Sequence, residues 1–376
     1  MQELNRQMMA LPELRELEEI IRFGTGPAAV SGVSGVHRAM LGAALRQETK
    51  RPLAVLCADE QEARRMAADL AALTGEECVT LFAREWQLRD RVSASHSFEQ
   101  ERLDALCRMA FGRTGIVVAT VDGMMQRTLP PTALRDAVLT LRLGEEHDLR
   151  ALAERLTAAG YVRCEQVEGA GQYARRGGII DFFSPTYSEP VRVEFWGDDV
   201  DSMGFFDIKT QRRTEAVESC RILPAAESLV SLATGGASTL LDTMCAAADK
   251  CARHRRSPQL AELENTLRAD IERIEQGVKL EYADRYLPFL YEKSTGYDYI
   301  PEEAIVFFDQ PPRCADRAKG YLKQLGDDVS QLVKKGLIAS EAGAYRASWD
   351  ELTHAVSEHA MYMADAFTVG RYPLEP

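Results

Sequence analysis

Long apolar runs and targeting signals are missing from this 376-residue sequence. No stretch approaches the ~20 consecutive apolar residues that a helix needs to cross a bilayer. The first twenty residues carry several acids and lack the continuous apolar core of a secretory signal peptide. We therefore expect a cytoplasmic protein without a membrane partner. The length predicts two or three domains, because one hydrophobic core rarely serves so long a chain.

Cysteine pairs at metal-ligand or redox spacing are also missing. The eight cysteines are scattered, and none forms a C-x-x-C pair. Cys245 and Cys251 are the closest two, and His254 is the one flanking residue that could join them as a ligand. A zinc site there is the minority interpretation, because free cysteines in a reducing compartment usually behave as small buried hydrophobes. We predict no metal site.

Positive charge is scarce as well. The chain carries 45 lysines and arginines against 58 aspartates and glutamates, which gives a formal net charge of −13. A protein whose main task is to grip DNA phosphates is usually basic. The charge balance therefore argues against a primary nucleic-acid-binding role, although a local basic patch is compatible with it. A DNA-binding module stays an alternative that salt-dependent filter binding would test.

Strand-like apolar runs alternate with amphipathic, helix-like segments in the first part of the chain. The runs at 51–59, 78–82 and 115–125 predict strands, and the segments between them predict helices. Such alternation is typical of a parallel, doubly wound sheet. We therefore predict an α/β fold for this part.

The sequence changes character after Pro130 and Pro131. Residues 164–224 are rich in strand-like segments with short loops, which predicts an inserted α+β domain with antiparallel strands. Helix-like patterns return from about Glu227, and the last residues read as a linker, so we expect a segment of a longer protein. The predicted division is 1–128, 129–226, 227–350 and, as the linker, 351–376.

A phosphate-binding loop of the pattern G-x-x-x-x-G-K-[ST] would lie between the first strand and the following helix. The eight aligned residues are Gly32, Val33, Ser34, Gly35, Val36, His37, Arg38 and Ala39. His37 replaces the second glycine and adds a Cβ, and Arg38 replaces the lysine with a bulkier group. Ala39 lacks the hydroxyl that binds magnesium. The segment therefore predicts a nucleotide site that has lost its chemistry.

A Walker B-like strand supports the same interpretation. Such a strand ends in an acidic pair, of which the first residue holds magnesium and the second positions water. The run IVFFDQPP keeps Asp309, but Gln310 replaces the second acid, and a neutral amide cannot act as a base. The alternative is that both segments are ordinary turns that never bound nucleotide. Either interpretation predicts no catalytic residue and no nucleotide hydrolysis.

The strand-like segment 191–197 predicts a binding face in the inserted domain. Alternation places Val191, Val193 and Phe195 on one face, and puts Arg192 and Trp196 on the other. Arginine and tryptophan are enriched at binding hot spots. The alternative is that the tryptophan packs under a loop and the arginine pairs with a nearby acid. Six basic residues against ten acids between 165 and 215 suit a protein partner better than a phosphate backbone.

The segments ARRGGIIDFFSP, PVRVEFWGDDVDSMGFFD and TQRRTEAVESCRILPA resemble domain 2 of the UvrB and transcription-repair coupling factor (Mfd) family. Their fixed positions follow the motif R-G-x-x-[IL]-D-[IL]-F and its continuation in order over about fifty residues. The segment TVDGMMQRTLPP resembles the stretch of Mfd that leads into this domain. The degenerate Walker-like segments are similar to Mfd, because the corresponding motifs of UvrB are intact.

The resemblance implies a degenerate P-loop domain of the helicase-like, RecA-like type, split around a UvrA-binding domain. It places UvrA-contacting side chains at Arg176, Arg192 and Trp196. The family recruits UvrA to stalled RNA polymerase in nucleotide excision repair and moves on DNA with ATP-driven translocase domains. Contacts with RNA polymerase, DNA, ATP and magnesium are then expected in domains absent from this chain, which we expect to be monomeric. Residues 83–100 are too short and polar to supply the damage-probing hairpin of UvrB.

The main prediction is therefore a UvrA-recruiting adaptor that lacks ATPase activity. The competing prediction is an ATP-dependent excision or helicase subunit of the UvrB type. An intact Gly-Lys-Thr at 37–39 and a second acid at position 310 would have favoured it.

Overall fold

Two β-sheets organise the chain, one parallel and one largely antiparallel. The computed structural model describes residues 7–8, 10–23, 26–86, 88, 96–253, 257–339, 342–367, 372 and 374. The α-helices are α1 (Pro12–Phe23), α2 (Val36–Thr49), α3 (Glu60–Thr74), α4 (His96–Ala110), α5 (Val121–Met125), α6 (Pro131–Asp136), α7 (Leu149–Ala158), α8 (Gly236–Ala252), α9 (Pro258–Glu275), α10 (Leu287–Leu290), α11 (Pro311–Lys334) and α12 (Trp349–Ser357). Short 3-10 turns lie at Val230–Leu232, Ala283–Tyr286, Gly296–Tyr299 and Ala342–Tyr345.

The strands come from three parts of the chain. They are β1 (Ala28–Val30), β2 (Leu53–Cys57), β3 (Cys78–Leu81), β4 (Ile116–Thr120), β5 (Leu139–Arg142), β6 (Val162–Arg163), β7 (Gln172–Arg176), β8 (Ile179–Phe182), β9 (Val191–Trp196), β10 (Asp199–Phe206), β11 (Arg213–Ala216), β12 (Ser219–Ile222), β13 (Ile305–Asp309) and β14 (Ala360–Ala364). Of residues 83–100, which were predicted to be too short and polar for a damage-probing hairpin, residues 87 and 89–95 lie outside the described residues.

The parallel sheet has six strands in the order β1-β14-β13-β2-β4-β3. Every residue of β2, β4 and β13 is buried, which explains their unbroken apolar sequences. Alternate residues enter different cores: Leu56 and Phe308 pack on one face, and Val55 and Phe307 pack on the other. Helices therefore cover both faces, and the predicted α/β parallel sheet is confirmed. We call this part the body.

The end of the chain corrects one prediction. Residues 351–376 were expected to form a linker, but α12 extends to Ser357 and β14 follows it. β14 lies between β1 and β13 and is parallel to both. Its Tyr362 ring stacks on Phe307 with centroids 4.5 Å apart. The five-residue apolar run is therefore an interior strand of the sheet.

The second sheet has the order β11-β10-β9-β8-β7-β6 and forms a lobe with α7 and the β5–β12 pair. Its pairs are antiparallel except for β6 with β7. The predicted antiparallel-rich segment is confirmed. All of these strands lie between β4 and β13 in the chain, while the boundaries 1–128, 129–226 and 227–350 stay predictions.

A buried ionic cluster lies where the chain enters and leaves the lobe. Thr128 Oγ1 donates to Glu227 Oε2 at 2.6 Å, and Arg102 Nε donates to Glu227 Oε1 at 3.0 Å. Arg84 lies 3.1 Å from Glu227 and donates two hydrogen bonds, of 2.7 and 2.8 Å, to the Asp284 carboxylate. Burial alone would lower the pKa of Arg84, but the two carboxylates outweigh it and raise this pKa. The cluster therefore anchors Thr128 and Glu227, where the chain passes between body and lobe, to Arg84, Arg102 and Asp284 of the body.

Within the described part of the chain, no helix combines the length and apolar character that a bilayer crossing needs.

Candidate functional site

The segment predicted to be a degenerate phosphate loop connects β1 to α2 and uses glycine where the backbone demands it. Gly32 has φ +80° and Gly35 has φ +54°, and Gly35 precedes the first residue of α2. Backbones of this kind are easily adopted only by glycine. His37 is exposed, and its Nδ1 lies 3.1 Å from the Ser34 carbonyl oxygen. Ala39 is fully buried and packs in the core instead of lining the loop.

Arg38 and Asp309 bring the two Walker-like segments together. Arg38 Nε lies 2.5 Å from Asp309 Oδ1, and the side chains are only 11% and 2% exposed. Burial raises the pKa of Asp309 to about 6, while the Arg38 guanidinium opposes this rise. The arginine therefore holds the Asp309 carboxylate directly.

Gln310 is committed to the start of α11. Its backbone has φ +53°, and its N–H donates to the Ala364 carbonyl at 3.0 Å. Its side-chain oxygen accepts a hydrogen bond of 2.8 Å from Arg313, which also donates to Asp59 at 3.0 Å. Arg313 forms a further ion pair with Glu62. The cationic and acidic side chains at this edge thus neutralise one another.

The lobe sheet aligns the predicted partner-binding residues in rows. Arg176 on β7 is opposite Ile179 on β8, and Ile179 is opposite Glu194 on β9. Trp196 lies two residues further along β9 on the same face. Arg176 and Trp196 therefore lie two strand spacings apart across the sheet, which is roughly 10 Å. Along the strand direction they are offset by two residues, which is about 7 Å.

A glycine turn between β7 and β8 shapes this face. Gly177 has φ +58°, and an added Cβ at Gly178 would lie 3.0 Å from the Phe195 carbonyl oxygen. The Phe195 N–H donates to the Gly178 carbonyl at 2.8 Å. The turn therefore rests directly on β9, and it fixes Arg176 at the rim of the sheet.

Strand β9 has the alternation that its sequence predicts. Val191 and Val193 are fully buried, and Phe195 is partly buried against the lobe core. The Trp196 side chain is 81% exposed, and Arg176 is exposed too. A tryptophan this exposed leaves a large apolar area in water, which is a common mark of an interaction site.

Arg192 corrects the prediction of three freely exposed side chains. It is 22% exposed and donates to both oxygens of Asp181, at 2.8 and 2.9 Å. Its guanidinium lies 4.5 Å from the Phe206 ring centroid and 3.0 Å from the Gln211 side-chain oxygen. The hydrogen bonds that Arg192 donates to Asp181 are the main cause that raises the pKa of Arg192, against the opposing effect of burial. The alternative interpretation, pairing with a nearby acid, is therefore correct.

Asp181 is the site residue that sequence reasoning missed. It lies directly opposite Arg192 in the β8–β9 register, and it is 3% exposed. The acid of the segment GIIDFF stands on the same face as Arg192 by alternation, which was the available signal. We define the tryptophan face as the exposed surface of Arg176, Glu194 and Trp196, to which Arg192 contributes its partly exposed edge.

Known proteins resemble both the lobe and the whole chain. Residues 139–227 match the family model described as the UvrB interaction domain. The chain is 28% identical over 313 residues to the transcription-repair-coupling factor of Bacillus subtilis, which covers 82% of this chain and 26% of that protein. It is 29% identical over 294 residues to the same factor of Myxococcus xanthus, with 74% and 24% covered.

The corresponding factor of Escherichia coli is 30% identical over 195 residues, 52% of this chain and 17% of that protein. The chain thus spans about a quarter, or less, of the length of these relatives. The predicted resemblance to the UvrB-like module of transcription-repair coupling factors is confirmed.

Proposed function

Because the chain resembles the UvrB-like module of transcription-repair coupling factors, we propose that it is an adaptor that recruits UvrA during transcription-coupled nucleotide excision repair. The observation that carries the proposal is the tryptophan face, which lies within the matched residues 139–227. Trp196 and Arg176 combine a large apolar group with a cation at one rim of a rigid sheet. This combination is typical of a hot spot for a protein surface.

The physical basis for affinity is the indole of Trp196. A tryptophan side chain buries about 150–250 Å² when a partner covers it. At about 25 cal/mol per Å², that area is worth several kcal/mol before the costs of association. Arg176 would add electrostatic attraction to acids on the partner, mainly by raising the association rate.

Calorimetric titration of UvrA into this chain tests the proposal. Trp196→Ala should weaken binding at least about tenfold, and Arg176→Ala should weaken it less. Phe23→Ala and Arg65→Ala are matched controls, because they remove an exposed aromatic and an exposed arginine from the body. Unchanged affinity in both lobe variants, with melting curves that show intact folding, would place the binding site elsewhere.

We also propose that the body is a P-loop domain of the RecA-like type that has lost nucleotide hydrolysis. Two observations support this. A single strand, β14, lies between β1 and β13 in the parallel sheet, and Arg38 forms a direct ion pair with Asp309. Neither Arg38 nor Gln310 can take the proton of an attacking water, because a guanidinium stays charged and an amide is not basic.

Nucleotide turnover is therefore expected to equal the buffer blank when ATP and magnesium are supplied. The matched variant is Asp309→Ala, which removes the remaining acid of the Walker B-like strand. Phosphate release from the unaltered chain that Asp309→Ala abolishes would favour the UvrB-type excision subunit instead. RNA polymerase, DNA, ATP and magnesium remain proposed partners of the longer protein, through domains outside this chain.

A further inference from the structure

A cavity lies between body and lobe, away from both the tryptophan face and the loop between β1 and α2. Its volume is about 240 Å³. The body contributes the end of α4 and the turn after it, and the lobe contributes the loop after β8 and strand β12. The side chains that matter for its chemistry are Asp104, Arg108, Phe111, Arg113, Tyr187 and Arg221.

Two arginines meet at this cavity around one aromatic ring. The guanidinium carbons of Arg113, from the body, and Arg221, from the lobe, each lie 5.8 Å from the centroid of the Phe111 ring. Within the described ranges, neither guanidinium has an acid within ion-pair distance, unlike the nearby Arg108, which is held by Asp104 and Glu77. In a chain of net charge −13, two uncompensated arginines at one cavity are a local reversal of sign.

Two further polar groups line the cavity. The Tyr187 hydroxyl accepts a hydrogen bond of 2.7 Å from the backbone N–H of Arg221, so the hydroxyl proton of Tyr187 can still be donated. Asp104 Oδ1 is buried and has no hydrogen-bond partner among the described residues, although Oδ2 pairs with Arg108 at 2.9 Å. The cavity therefore offers cations and a hydroxyl donor together with a single acceptor oxygen.

We propose that this cavity binds an inorganic phosphate ion that bridges the body and the lobe. Arg113 and Arg221 would hold its charged oxygens, because the planar guanidinium matches phosphate geometry. Tyr187 would donate a third hydrogen bond. Asp104 Oδ1 would accept the hydrogen of a protonated phosphate oxygen, which gives the buried carboxylate oxygen a partner. The volume accommodates the group with several waters, since one water takes about 30 Å³.

The protonated oxygen separates phosphate from sulfate. Near pH 7, inorganic phosphate carries at least one hydroxyl, whereas sulfate carries none and would place its lone pairs against Asp104. Because the ligand touches residues from both parts of the chain, its binding should also stabilise the body–lobe contact. The proposal is independent of UvrA binding, since no residue of the tryptophan face lines the cavity.

The experiment is a titration of the full 376-residue chain with sodium phosphate, followed by calorimetry and by melting temperature at constant ionic strength. Phosphate should raise the melting temperature, because a ligand that binds only the folded state stabilises it. Arg113→Met and Arg221→Met should each weaken phosphate binding about tenfold, which is the loss of charge-assisted hydrogen bonds. Arg65→Met, an exposed arginine on α3, is the matched control and should bind phosphate as the unaltered chain does.

Further arms identify the source of the group. Sulfate should stabilise the chain less than phosphate, and Asp104→Asn should narrow that difference. Adenosine monophosphate and a 5′-phosphorylated oligonucleotide mostly lack a hydroxyl on phosphorus near pH 7, so both should bind more weakly than free phosphate. The proposal is overturned if phosphate and sulfate act equally, or if the two arginine variants respond to phosphate as Arg65→Met does.

Discussion

At the residue scale, Arg192 and Trp196 show how far alternation along a strand can be taken. The period of two correctly separates the buried Val191 and Val193 from the exposed Trp196. It cannot show that Arg192 is held by Asp181, because that contact depends on the register between β8 and β9. Register is set by the turn and by the pattern of both strands together, and a single strand does not contain it.

The Arg192–Asp181 pair predicts a structural effect for a variant that would otherwise be read as a binding test. Arg192→Ala should lower the free energy of unfolding by about 2–3 kcal/mol, because it leaves the buried Asp181 carboxylate unpaired. Chemical denaturation measures this loss, and Arg192→Ala combined with Asp181→Ala should recover part of it. A single variant as stable as the unaltered chain would contradict the prediction.

Asp309 predicts a pH dependence of stability. Its pKa is raised from the usual 3.8 to about 6, so the folded chain keeps a proton that the unfolded chain has released. The free energy of unfolding should therefore fall as pH rises from 4 to 6, by up to about 3 kcal/mol. Asp309→Asn cannot titrate, so denaturation at pH 4, 5, 6 and 7 should show its stability rising relative to the unaltered chain. A difference that stays constant with pH would exclude the effect.

At the element scale, the sequence predicts the interior strands well and the last strand badly. β2, β4 and β13 are five-residue apolar runs with turn signals on each side, and all three were predicted as strands. β14 has the same length and four buried residues of five, but it follows α12 after two residues. A short apolar run beside a helix is ambiguous by periodicity, and only its pairing with β1 and β13 settles its type.

Deletion of residues 358–376 tests the role of β14. Without it, β1 and β13 lose their shared partner, and Phe307 loses the Tyr362 ring that stacks on it. We expect this deletion to abolish the cooperative thermal transition. Deletion of 368–376 is the control and should leave the transition in place, since the described residues that it removes, Tyr372 and Leu374, are only partly buried.

At the scale of the whole molecule, the ionic cluster around Glu227 fixes to the body the chain segments that lead into and out of the lobe. Arg84 and Asp284 are 200 residues apart in sequence, and Arg102 and Glu227 are 125 apart. The α/β body and the antiparallel lobe were predictable from local patterns. This cluster and the cavity at Arg113 and Arg221 were not, because each combines residues whose proximity only the complete fold creates.

Glu227 accordingly carries a prediction for the whole chain. Glu227→Ala should destabilise the protein by about 3–5 kcal/mol, because it removes the acid that Arg84 and Arg102 share in a buried setting. Thr128→Val removes one hydroxyl hydrogen bond to the same carboxylate and should cost less, about 1.5–3 kcal/mol. Denaturation curves of the two variants measure both losses, and equal losses would show that the ionic contacts contribute nothing beyond the hydrogen bond.

The position of β14 also has a consequence for the order in which the protein folds during synthesis. β1 pairs with β14, so a strand made among the first thirty residues waits for a partner that leaves the ribosome more than three hundred residues later. The lobe sheet, by contrast, is built from residues 162–216 and can pair as soon as these emerge. Domains commonly fold as units while the chain is still being made. We therefore expect the proposed UvrA-binding face to form first and the parallel sheet of the body to close last.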